Sequence, residues 1–380
     1  MNFDASQQAA IDAAFNAQDC LITGGAGTGK STLCKEIMRM KNGNADMCAP
    51  TGKAAARLKE VTDYPARTIH SFLQWDGERF RSSERITRPL IIDEASMIDS
   101  WLMAAIIERK PPQLILVGDA AQLPPVGKGQ PFHDLLRLRP DITHTLDTCH
   151  RAQASVHKCA NMVRRGEMPP AKDKAGGESW SLIETGNARA TQARLLEWVK
   201  AGHFDPATDI ILSPRHGDED SDGDIRGINK GVMAIVNPHD PGEDWKIGDR
   251  VINGKNVGAD DYWNGDTGTV TAVDADGNPW VKLDRNRIAG EVLVSGEKLK
   301  ELTHAWCLSV HKAQGSQFRR VFFVCLWKHQ FMLDRSLIYT AVTRAREGCC
   351  VCGEVGAFVE GIGRVKAKKT VLQALGGKLI

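Results

Sequence analysis

A glycine-rich loop between an apolar run and a helical pattern constrains this chain most. Residues 24–31 read Gly-Gly-Ala-Gly-Thr-Gly-Lys-Ser and match G-x-x-x-x-G-K-[ST] at every position. A short apolar run, 20–23, precedes the loop, and a helical pattern at 31–40 follows it. Because glycines let backbone N–H groups turn towards an anion, the sequence predicts a phosphate-binding loop at the carboxyl end of a parallel strand.

The same loop assigns chemistry to individual side chains. Lys30 is expected to neutralise the β- and γ-phosphates of a nucleoside triphosphate, and the Ser31 hydroxyl is expected to ligate Mg²⁺. We therefore expect ATP and Mg²⁺ as cofactors. The residues predicted here to surround the nucleotide are Gly25, Ala26, Gly27, Thr28, Gly29, Lys30, Ser31 and Thr32.

Two further apolar runs end in polar residues that complete such a site. Asp93 and Glu94 follow the run at 89–92. Asp93 suits a role in holding Mg²⁺ through water, and Glu94 suits the general base that activates the attacking water. After the run at 114–117, the amide of Gln122 is placed to sense the γ-phosphate. The sequence therefore predicts hydrolysis of ATP as well as binding.

Length and composition bound the remaining possibilities. The chain has 380 residues, which predicts two to three domains, and its net charge of +2 permits only a local basic groove for nucleic acid. No apolar run reaches membrane-spanning length and no signal peptide is evident, so a cytoplasmic location is expected. The ten cysteines are expected as reduced thiols; an iron–sulfur or zinc site at Cys349, Cys350 and Cys352 is the alternative. The acidic run at 218–223 lacks the twelfth-position Glu of a calcium loop.

The pattern of elements changes along the chain. Residues 1–150 alternate short apolar runs with helical patterns, which is typical of a parallel sheet. An Asp-Gly turn at 76–77 predicts a hairpin over 71–89. Short strands separated by Asn-Gly and Asp-Gly turns predict a small all-β module at 241–300, and the alternating pattern returns after 302.

The three nucleotide-site elements, in this order, resemble the superfamily 1 helicases, and more closely the 5′→3′ branch typified by RecD-like and Dda-like proteins. Residues 93–97, Asp-Glu-Ala-Ser-Met, and residues 118–126 match that branch's second and third motifs almost letter for letter. The resemblance extends over nearly the whole chain. It implies an ATP-dependent DNA helicase.

The resemblance also implies roles near the N-terminus. Residues 3–11 are similar to the adenine-recognition motif, with Gln7 reading the base edge; an amphipathic helix with an incidental Gln is the alternative. Residues 49–55 and 68–72 resemble the motifs that line the single-strand groove. The DNA-binding residues implied by the family are Pro50, Thr51, Lys53, Thr68, His70, His311 and Lys312, with Trp75 and Phe80 as wedge residues of the hairpin. An equal alternative is that the two aromatics only pack the hairpin onto the core.

Motifs in the second half supply the remaining catalytic groups. Residues 146–151 resemble motif IV, whose Arg151 is implied to act as an arginine finger, with a surface arginine as the alternative. Residues 309–316 resemble motif V, with Gly315 at the nucleotide, and 339–346 resemble motif VI, whose Arg344 is the second arginine at the γ-phosphate. Gln317 stands where the family usually has an acidic residue, so relaxed sugar selection is expected.

The implied fold class is α/β, with two RecA-like P-loop NTPase domains, a β-hairpin pin insertion and a small SH3-like β-barrel insertion. Domain 1A is expected at 1–145 with the pin, domain 1B, at 71–89. Domain 2A is expected at 146–240 and 301–380, and domain 2B at 241–300.

The function expected is 5′→3′ translocation on single-stranded DNA with unwinding of forked duplex DNA, by a monomer that works with replication or recombination proteins. The alternatives are an RNA or RNA–DNA helicase, or a DNA-binding remodelling factor that uses ATP only as a switch. No nuclease domain is visible. The chain begins at the adenine motif without the N-terminal extension of larger RecD-like proteins, which favours a compact, phage-type enzyme.

Overall fold

A computed structural model describes residues 3–16, 19–81, 84–148, 154–254, 264–284, 291–366, 368 and 370. The chain divides into two compact units. The first comprises Met1–Gln153 and Val365–Ile380, and the second comprises Ala154–Arg364.

The first unit is an α/β unit built on one six-stranded sheet. Its strands are β1 Cys20–Gly24, β2 Asp46–Ala49, β3 Ala66–Thr68, β4 Leu90–Ile92, β5 Leu114–Gly118 and β6 Thr143–Leu146. Its helices are α1 Ala5–Phe15, α2 Lys30–Met40, α3 Gly52–Thr62, α4 Ile69–Phe72, α5 Ser100–Ile107 and α6 Pro131–Leu138, with short 3₁₀ turns at Ala95–Met97 and Pro140–Ile142.

All pairings in this sheet are parallel, in the order β3-β2-β4-β5-β1-β6. Successive side chains of β1 enter different cores: Cys20 and Ile22 pack with α1 and α2, whereas Leu21 packs with α5 and α6. Helices therefore cover both faces, which explains why the strands are continuous apolar runs. The carboxyl ends of β1, β4 and β5 meet at one edge.

The predicted hairpin at 71–89 is only partly correct. Residues up to Phe72 belong to α4, because Thr68 caps that helix and Ile69 and Leu73 bury their side chains in the core. Beyond it, among the described residues of this segment, a single antiparallel bridge pairs Trp75 with Phe80. The Asp-Gly turn inside the bridge is present, since the Asp76 carboxylate accepts hydrogen bonds from the N–H groups of residues 78 and 79.

The second unit contains a second six-stranded sheet. Its strands are β7 Lys172–Ala175, β8 Glu178–Glu184, β9 Ile210–Leu212, β15 Cys307–Leu308, β16 Phe318–Cys325 and β17 Ala345–Gly353, in the order β15-β9-β16-β17-β8-β7. Only β7 runs antiparallel to its neighbour. The helices are α7 Ser155–Arg165, α8 Ala188–Lys200, α9 Ile225–Val236, α10 Arg335–Val342 and α11 Val355–Gly363, with 3₁₀ turns at Gly296–Glu301 and Trp327–His329.

A small antiparallel sheet is inserted in this unit. Its strands are β10 Arg250–Asn253, β11 Thr267–Val273, β12 Pro279–Leu283, β13 Glu291–Leu293 and β14 Leu302–His304, in the order β13-β12-β11-β10-β14. The sheet has its own apolar core, in which Val251, Val270 and Val281 are fully buried. The alternation of buried and exposed residues along β12 shows one face packed and one face open.

Two expected limits differ from the structure. The last strand of the small sheet, β14, lies beyond the predicted end of the module at 300. Residues 301–380 were expected together in domain 2A, yet Lys368 donates to the carbonyl of Gly127 at 2.9 Å and Thr370 donates to Asp134 at 2.6 Å, both in the first unit. Neither difference is visible in the sequence, because both depend on long-range packing.

No helix in the described part of the chain is long and apolar enough to cross a membrane. The nine described cysteines are free, eight of them buried and Cys350 half-buried. Burial raises the pKa of thiols such as Cys349 well above its ordinary value. No cysteine among the described residues belongs to a cluster of three metal-ligand side chains.

Candidate functional site

The predicted phosphate loop connects β1 to α2 and has the backbone that its glycines were expected to allow. Gly27 and Gly29 have φ angles of +81° and +82°, in the left-handed region that favours glycine. Gly24 has no room for a side chain, because an added Cβ would lie 2.5 Å from the Thr28 hydroxyl. The Thr28 hydroxyl donates to the Gly25 carbonyl at 3.0 Å and braces the turn.

The side chains of Lys30 and Ser31 lie at the end of the phosphate loop, where α2 begins. Lys30 Nζ donates to the carbonyls of Gly24 and Gly25 at 2.8 and 2.9 Å, so the ammonium group lies over the loop. Ser31 Oγ lies 3.5 Å from Asp93 Oδ2, at the outer limit of a hydrogen bond. A hydroxyl and a carboxylate at this spacing are the hard oxygen ligands that Mg²⁺ prefers, so these two residues fit a magnesium site.

Burial, followed by the neighbouring charge of Glu94, raises the pKa of the Asp93 carboxyl. The Glu94 N–H and Lys30 act in the opposite direction, since both favour the ionised form. A nearby cation would stabilise the ionised form of this buried carboxyl group, because the cation replaces the stabilisation that water gives to an exposed carboxylate.

Glu94 combines two costly features. Its φ is +53°, in the left-handed region that non-glycine residues seldom adopt. Its Oε2 atom is buried and has no hydrogen-bond partner among the described residues. Strained backbone and unsatisfied buried oxygens cluster at functional sites, because surrounding structure has to hold them there. Glu94 therefore has the properties of a group whose carboxylate oxygen accepts a hydrogen bond from a substrate or a water.

The third predicted element lies at the end of β5, which pairs with β1 so that Gly118 is opposite Thr23. Gln122 follows in a turn. The Gln122 N–H donates to the Asp119 carbonyl at 3.2 Å, and the Gln122 side chain is buried. Gly118 packs so closely that an added Cβ would lie 2.9 Å from the ring of Phe132. The sheet thus brings the loop, Asp93–Glu94 and Gln122 to one edge.

The predicted adenine-reading residue is attached to the same loop. Gln7 is buried in α1 and donates from Nε2 to the Thr28 carbonyl at 3.0 Å, while its Oε1 accepts from the Asp4 N–H at 3.2 Å. Gln7 thereby joins α1 to the phosphate loop and also completes the cap of α1 with Asp4. Its role in reading a base stays a prediction.

A cavity of about 790 Å³ runs along α2 from Thr32 to Arg39 and was not predicted from the sequence. Phe3, Tyr64 and Thr32 line it together with charged residues. Both rings are half-buried, and aromatic rings provide surfaces on which a planar base can stack. The signal in the sequence was faint, since Phe3 and Tyr64 are 61 positions apart and only Phe3 stands in a motif, the one expected to recognise adenine.

The predicted groove residues of the first unit follow β2 and β3. Thr51 caps α3 by accepting from the Ala54 N–H at 3.2 Å, and Thr68 caps α4 by accepting from the Ser71 N–H at 3.1 Å. Pro50 and Lys53 flank the first cap and are half-buried. The two hydroxyls thus have a structural role that the sequence did not reveal, although each can still donate its own proton.

His70, Trp75 and Phe80 belong to a four-ring cluster that includes Trp101 of α5. Trp101 stacks on Phe80 with ring centroids 4.7 Å apart and meets Trp75 edge-on at 5.1 Å. Trp101 is 51% exposed, and no sequence motif pointed to it. Burial lowers the pKa of His70, opposed by the charge of Asp99. The packing role considered for the two hairpin aromatics is present, and part of each ring stays accessible.

The predicted residues of the second unit are held by local contacts. Arg344 is 3% exposed, and its guanidinium donates to the carbonyls of Thr340 and Ser316 at 3.0 and 3.3 Å. Gly315 has a φ of +75°. Burial lowers the pKa of both His311 and Lys312. Arg151 lies outside the described residues.

Comparisons with known proteins agree with this arrangement. A family described as "AAA domain" matches residues 2–180, and one described as "UvrD-like helicase C-terminal domain" matches residues 304–352. The "ATP-dependent RecD2 DNA helicase" of Deinococcus radiodurans is 33% identical over 358 residues, which cover 89% of this chain and 47% of that protein. This chain therefore spans about half of that relative's length.

A further relative and a solved structure extend the similarity. The "RecBCD enzyme subunit RecD" of Mycolicibacterium smegmatis is 29% identical over 430 residues, covering 93% of this chain and 72% of that protein. A crystal structure of Pif1 helicase from Bacteroides in complex with ADP-AlF3 and ssDNA aligns with a TM-score of 0.58 over 97% of this chain and 95% of that one. At 19% identity, this last similarity shows the α/β fold.

Proposed function

We propose, from the premise that this chain belongs to the RecD-like branch of the superfamily 1 helicases, that it is an ATP-driven motor on DNA. It translocates 5′→3′ along single-stranded DNA and unwinds duplex. One observation carries the proposal: Glu94 Oε2 is buried without a hydrogen-bond partner among the described residues, and Glu94 follows directly on Asp93, which faces Ser31 of the phosphate loop. A switch that only binds ATP has no need of such a base.

At the nucleotide site, each described side chain has one task. The N–H groups of residues 25–29 and the Lys30 ammonium hold the phosphates, and Ser31 and Asp93 would hold Mg²⁺, which would neutralise charge on the phosphate oxygens. Glu94 orients the attacking water and accepts its proton. Gln122 responds to the presence of the γ-phosphate. The adenine lies in the cavity lined by Phe3 and Tyr64, with Gln7 at its edge.

In this proposal, two arginines neutralise negative charge that develops in the transition state. Arg151 and Arg344 stabilise the oxygens of the transferred phosphoryl group, as arginine fingers do. Arg344 has to exchange the Thr340 and Ser316 carbonyls for phosphate oxygens to do so. Those carbonyls are weaker partners than an anion, because charge-assisted hydrogen bonds to phosphate are the stronger ones.

The DNA path runs over the residues that follow β2 and β3 and over motif V. Pro50, Thr51, Lys53 and Thr68 hold backbone phosphates of one strand, together with His311 and Lys312, and His70 packs against the bases. The aromatic cluster of Trp75, Phe80 and Trp101 separates the duplex as the pin of domain 1B. The small sheet acts as the SH3-like domain 2B, and the two larger sheets act as two RecA-like domains.

The decisive experiment combines ATP hydrolysis with unwinding. ATPase activity should rise on addition of single-stranded DNA, and forked duplex with a 5′ tail should be unwound while duplex with a 3′ tail is not. Trp75→Ala should keep DNA-stimulated ATPase and lose unwinding, because the ring acts on the duplex and not on the nucleotide. Unwinding of 3′-tailed DNA alone would reverse the polarity.

Two other outcomes would replace the proposal. RNA that displaces single-stranded DNA and supports unwinding would assign an RNA or RNA–DNA helicase. ATP-dependent DNA binding without repeated unwinding would assign a remodelling factor. Protein partners in replication or recombination, and action as a monomer, are part of the proposal. Pull-down with the purified chain tests the partners, and sedimentation of the chain on forked DNA tests the monomer.

A further inference from the structure

Two histidines and a buried aspartate converge where the small antiparallel sheet joins the rest of the second unit. Asp249 immediately precedes β10 and has no exposed surface, His304 ends β14, and His239 follows α9. His239 Nε2 lies 3.0 Å from the Asp249 carboxylate, and His304 Nε2 lies 3.3 Å from its Oδ2 atom. The three ligand atoms all lie within 4.8 Å of one another.

The second ring nitrogen of His239 restricts what can lie between these groups. His239 Nδ1 is 3.2 Å from the backbone carbonyl of Glu243, which can only accept, so Nδ1 carries a proton. In a neutral imidazole, Nε2 then has a lone pair, and that lone pair faces a carboxylate oxygen of Asp249. Two acceptors at 3.0 Å repel each other unless a second proton or a metal cation lies between them.

The surroundings are those of a metal site. Metal-bound histidines usually donate their other N–H to a carbonyl, as His239 does, and ligating carboxylates are themselves held by hydrogen bonds. The Lys246 N–H and the Asn237 amide donate to the Asp249 carboxylate at 2.9 and 2.8 Å. Trp306 stacks on His304 with ring centroids 5.3 Å apart and planes 9° apart, which fixes the plane of that ring.

We propose that His239, Asp249 and His304 bind a divalent transition-metal ion, and that Zn²⁺ is the ion they take. Tetrahedral zinc with bonds of about 2.0–2.1 Å places its ligand atoms roughly 3.3 Å apart, close to the two separations observed. A mixed nitrogen and oxygen set is poor for Mg²⁺, which prefers oxygen alone. His304 is the more exposed of the two histidines, so a water from solvent would complete the coordination on that side.

Such an ion would join three points of the chain at one place: the segment after α9, the residue before the first strand of the small sheet, and the end of its last strand. The site is separate from the ATP site, and its existence does not depend on the proposed function. Metal binding should therefore raise thermal stability of the folded chain, because an ion that binds only the folded state stabilises it by mass action.

The test uses the full, untagged chain, since a polyhistidine tag binds the same metals. After chelation and dialysis, Zn²⁺ is titrated against a chromogenic chelator in excess Mg²⁺, and Co²⁺ is added separately to record its visible absorption. We expect about one Zn²⁺ per chain, tetrahedral Co²⁺ bands and a Zn²⁺-dependent rise in Tm. His239→Gln and Asp249→Asn should each weaken binding by more than the roughly 10–100-fold that loss of an outer-shell partner costs, because each removes a ligand. His203→Gln, an exposed histidine outside the cluster, is the matched control and should bind as wild type does.

Two results would overturn the proposal. If wild type binds no Zn²⁺, gives no Co²⁺ bands and keeps its Tm, the cluster holds a second proton instead, as an imidazolium–carboxylate pair. If binding persists in both variants, the metal lies elsewhere, for example on cysteines. The Co²⁺ spectrum and the Tm of wild type need no variant, so a variant that fails to fold does not prevent a decision.

Discussion

Glu94→Gln separates the chemistry of Glu94 from its structural role. The substitution keeps the shape of the side chain and removes its charge. Glu94 Oε2 has no partner in the described part of the chain, so no hydrogen bond to that atom is lost. The backbone strain at φ +53° is the same for both residues. The neighbouring negative charge that contributes to the raised pKa of Asp93 disappears, so Asp93 should be ionised more readily and Mg²⁺ should still bind.

The expected magnitude follows from the role of a general base. Positioned proton transfer contributes about 10²–10⁴-fold to rate. The DNA-stimulated kcat of Glu94→Gln should therefore fall by that factor, which is about 3–5 kcal/mol in the barrier. The affinity for ATP should change by less than about threefold, because uniform binding of the phosphates comes from the loop and Lys30.

The assay is steady-state ATPase at saturating single-stranded DNA, with ATP affinity measured separately by a fluorescent analogue. Glu60→Gln is the matched control, because that carboxylate lies exposed on α3. A Glu94→Gln protein that turns over ATP at the wild-type rate refutes the assignment. Loss of ATP binding together with turnover would show that Glu94 shapes the site and does not act as the base.

Three further predictions concern the nucleotide site and the second sheet. The folded protein holds the Asp93 proton more tightly than the unfolded chain does, so ionisation of Asp93 costs stability from about pH 4 upwards. Asp93→Asn should therefore abolish Mg²⁺-dependent hydrolysis but raise the metal-free Tm at pH 8, and this gain in Tm should shrink towards pH 4. An equal gain in Tm at both pH values would exclude charge as the cause. Tyr64→Ala should raise KM for ATP by about two- to tenfold with little change in kcat, and an unchanged KM in ATP titrations would remove the base from the cavity. Gly353→Ala should lower the free energy of unfolding by about 2 kcal/mol or more, because φ is +143° and an added Cβ would lie 1.9 Å from the Cys325 carbonyl oxygen. The control Gly363→Ala, which has open space at its Cβ, should melt like wild type in circular dichroism. Equal melting temperatures for the two variants would contradict the clash.

The parts of the fold that depend on local pattern were predictable. The apolar runs before Asp93 and before the phosphate loop are confirmed as strands, and the helix expected from Ser31 begins one residue earlier, at Lys30. These elements are buried on both faces or lie beside glycine turns, so their composition alone identifies them. The antiparallel strands of the small sheet are likewise confirmed, because Gly-containing turns mark their ends.

Features that depend on long-range contacts were not predictable. The hairpin prediction was wrong for residues 71–72 because Ile69 and Leu73 bury one helical face, and four residues are too few to show a helical period. Trp101 is separated from Phe80 by a strand and enters the ring cluster only through the tertiary fold. His239 and His304 are 65 positions apart, and only the pairing of β10 with β14 brings the second of them to Asp249.

That pairing has a consequence for how such chains can diversify. The Ala305 N–H donates to the Arg250 carbonyl at 2.8 Å, so the chain leaves the small sheet beside the point where it enters. A segment whose ends are neighbours can be lengthened, shortened or exchanged with little effect on the surrounding sheet, and insertions are tolerated best at such places. Selection could therefore reshape the small sheet for different substrates while the residues around the phosphate loop stay the same.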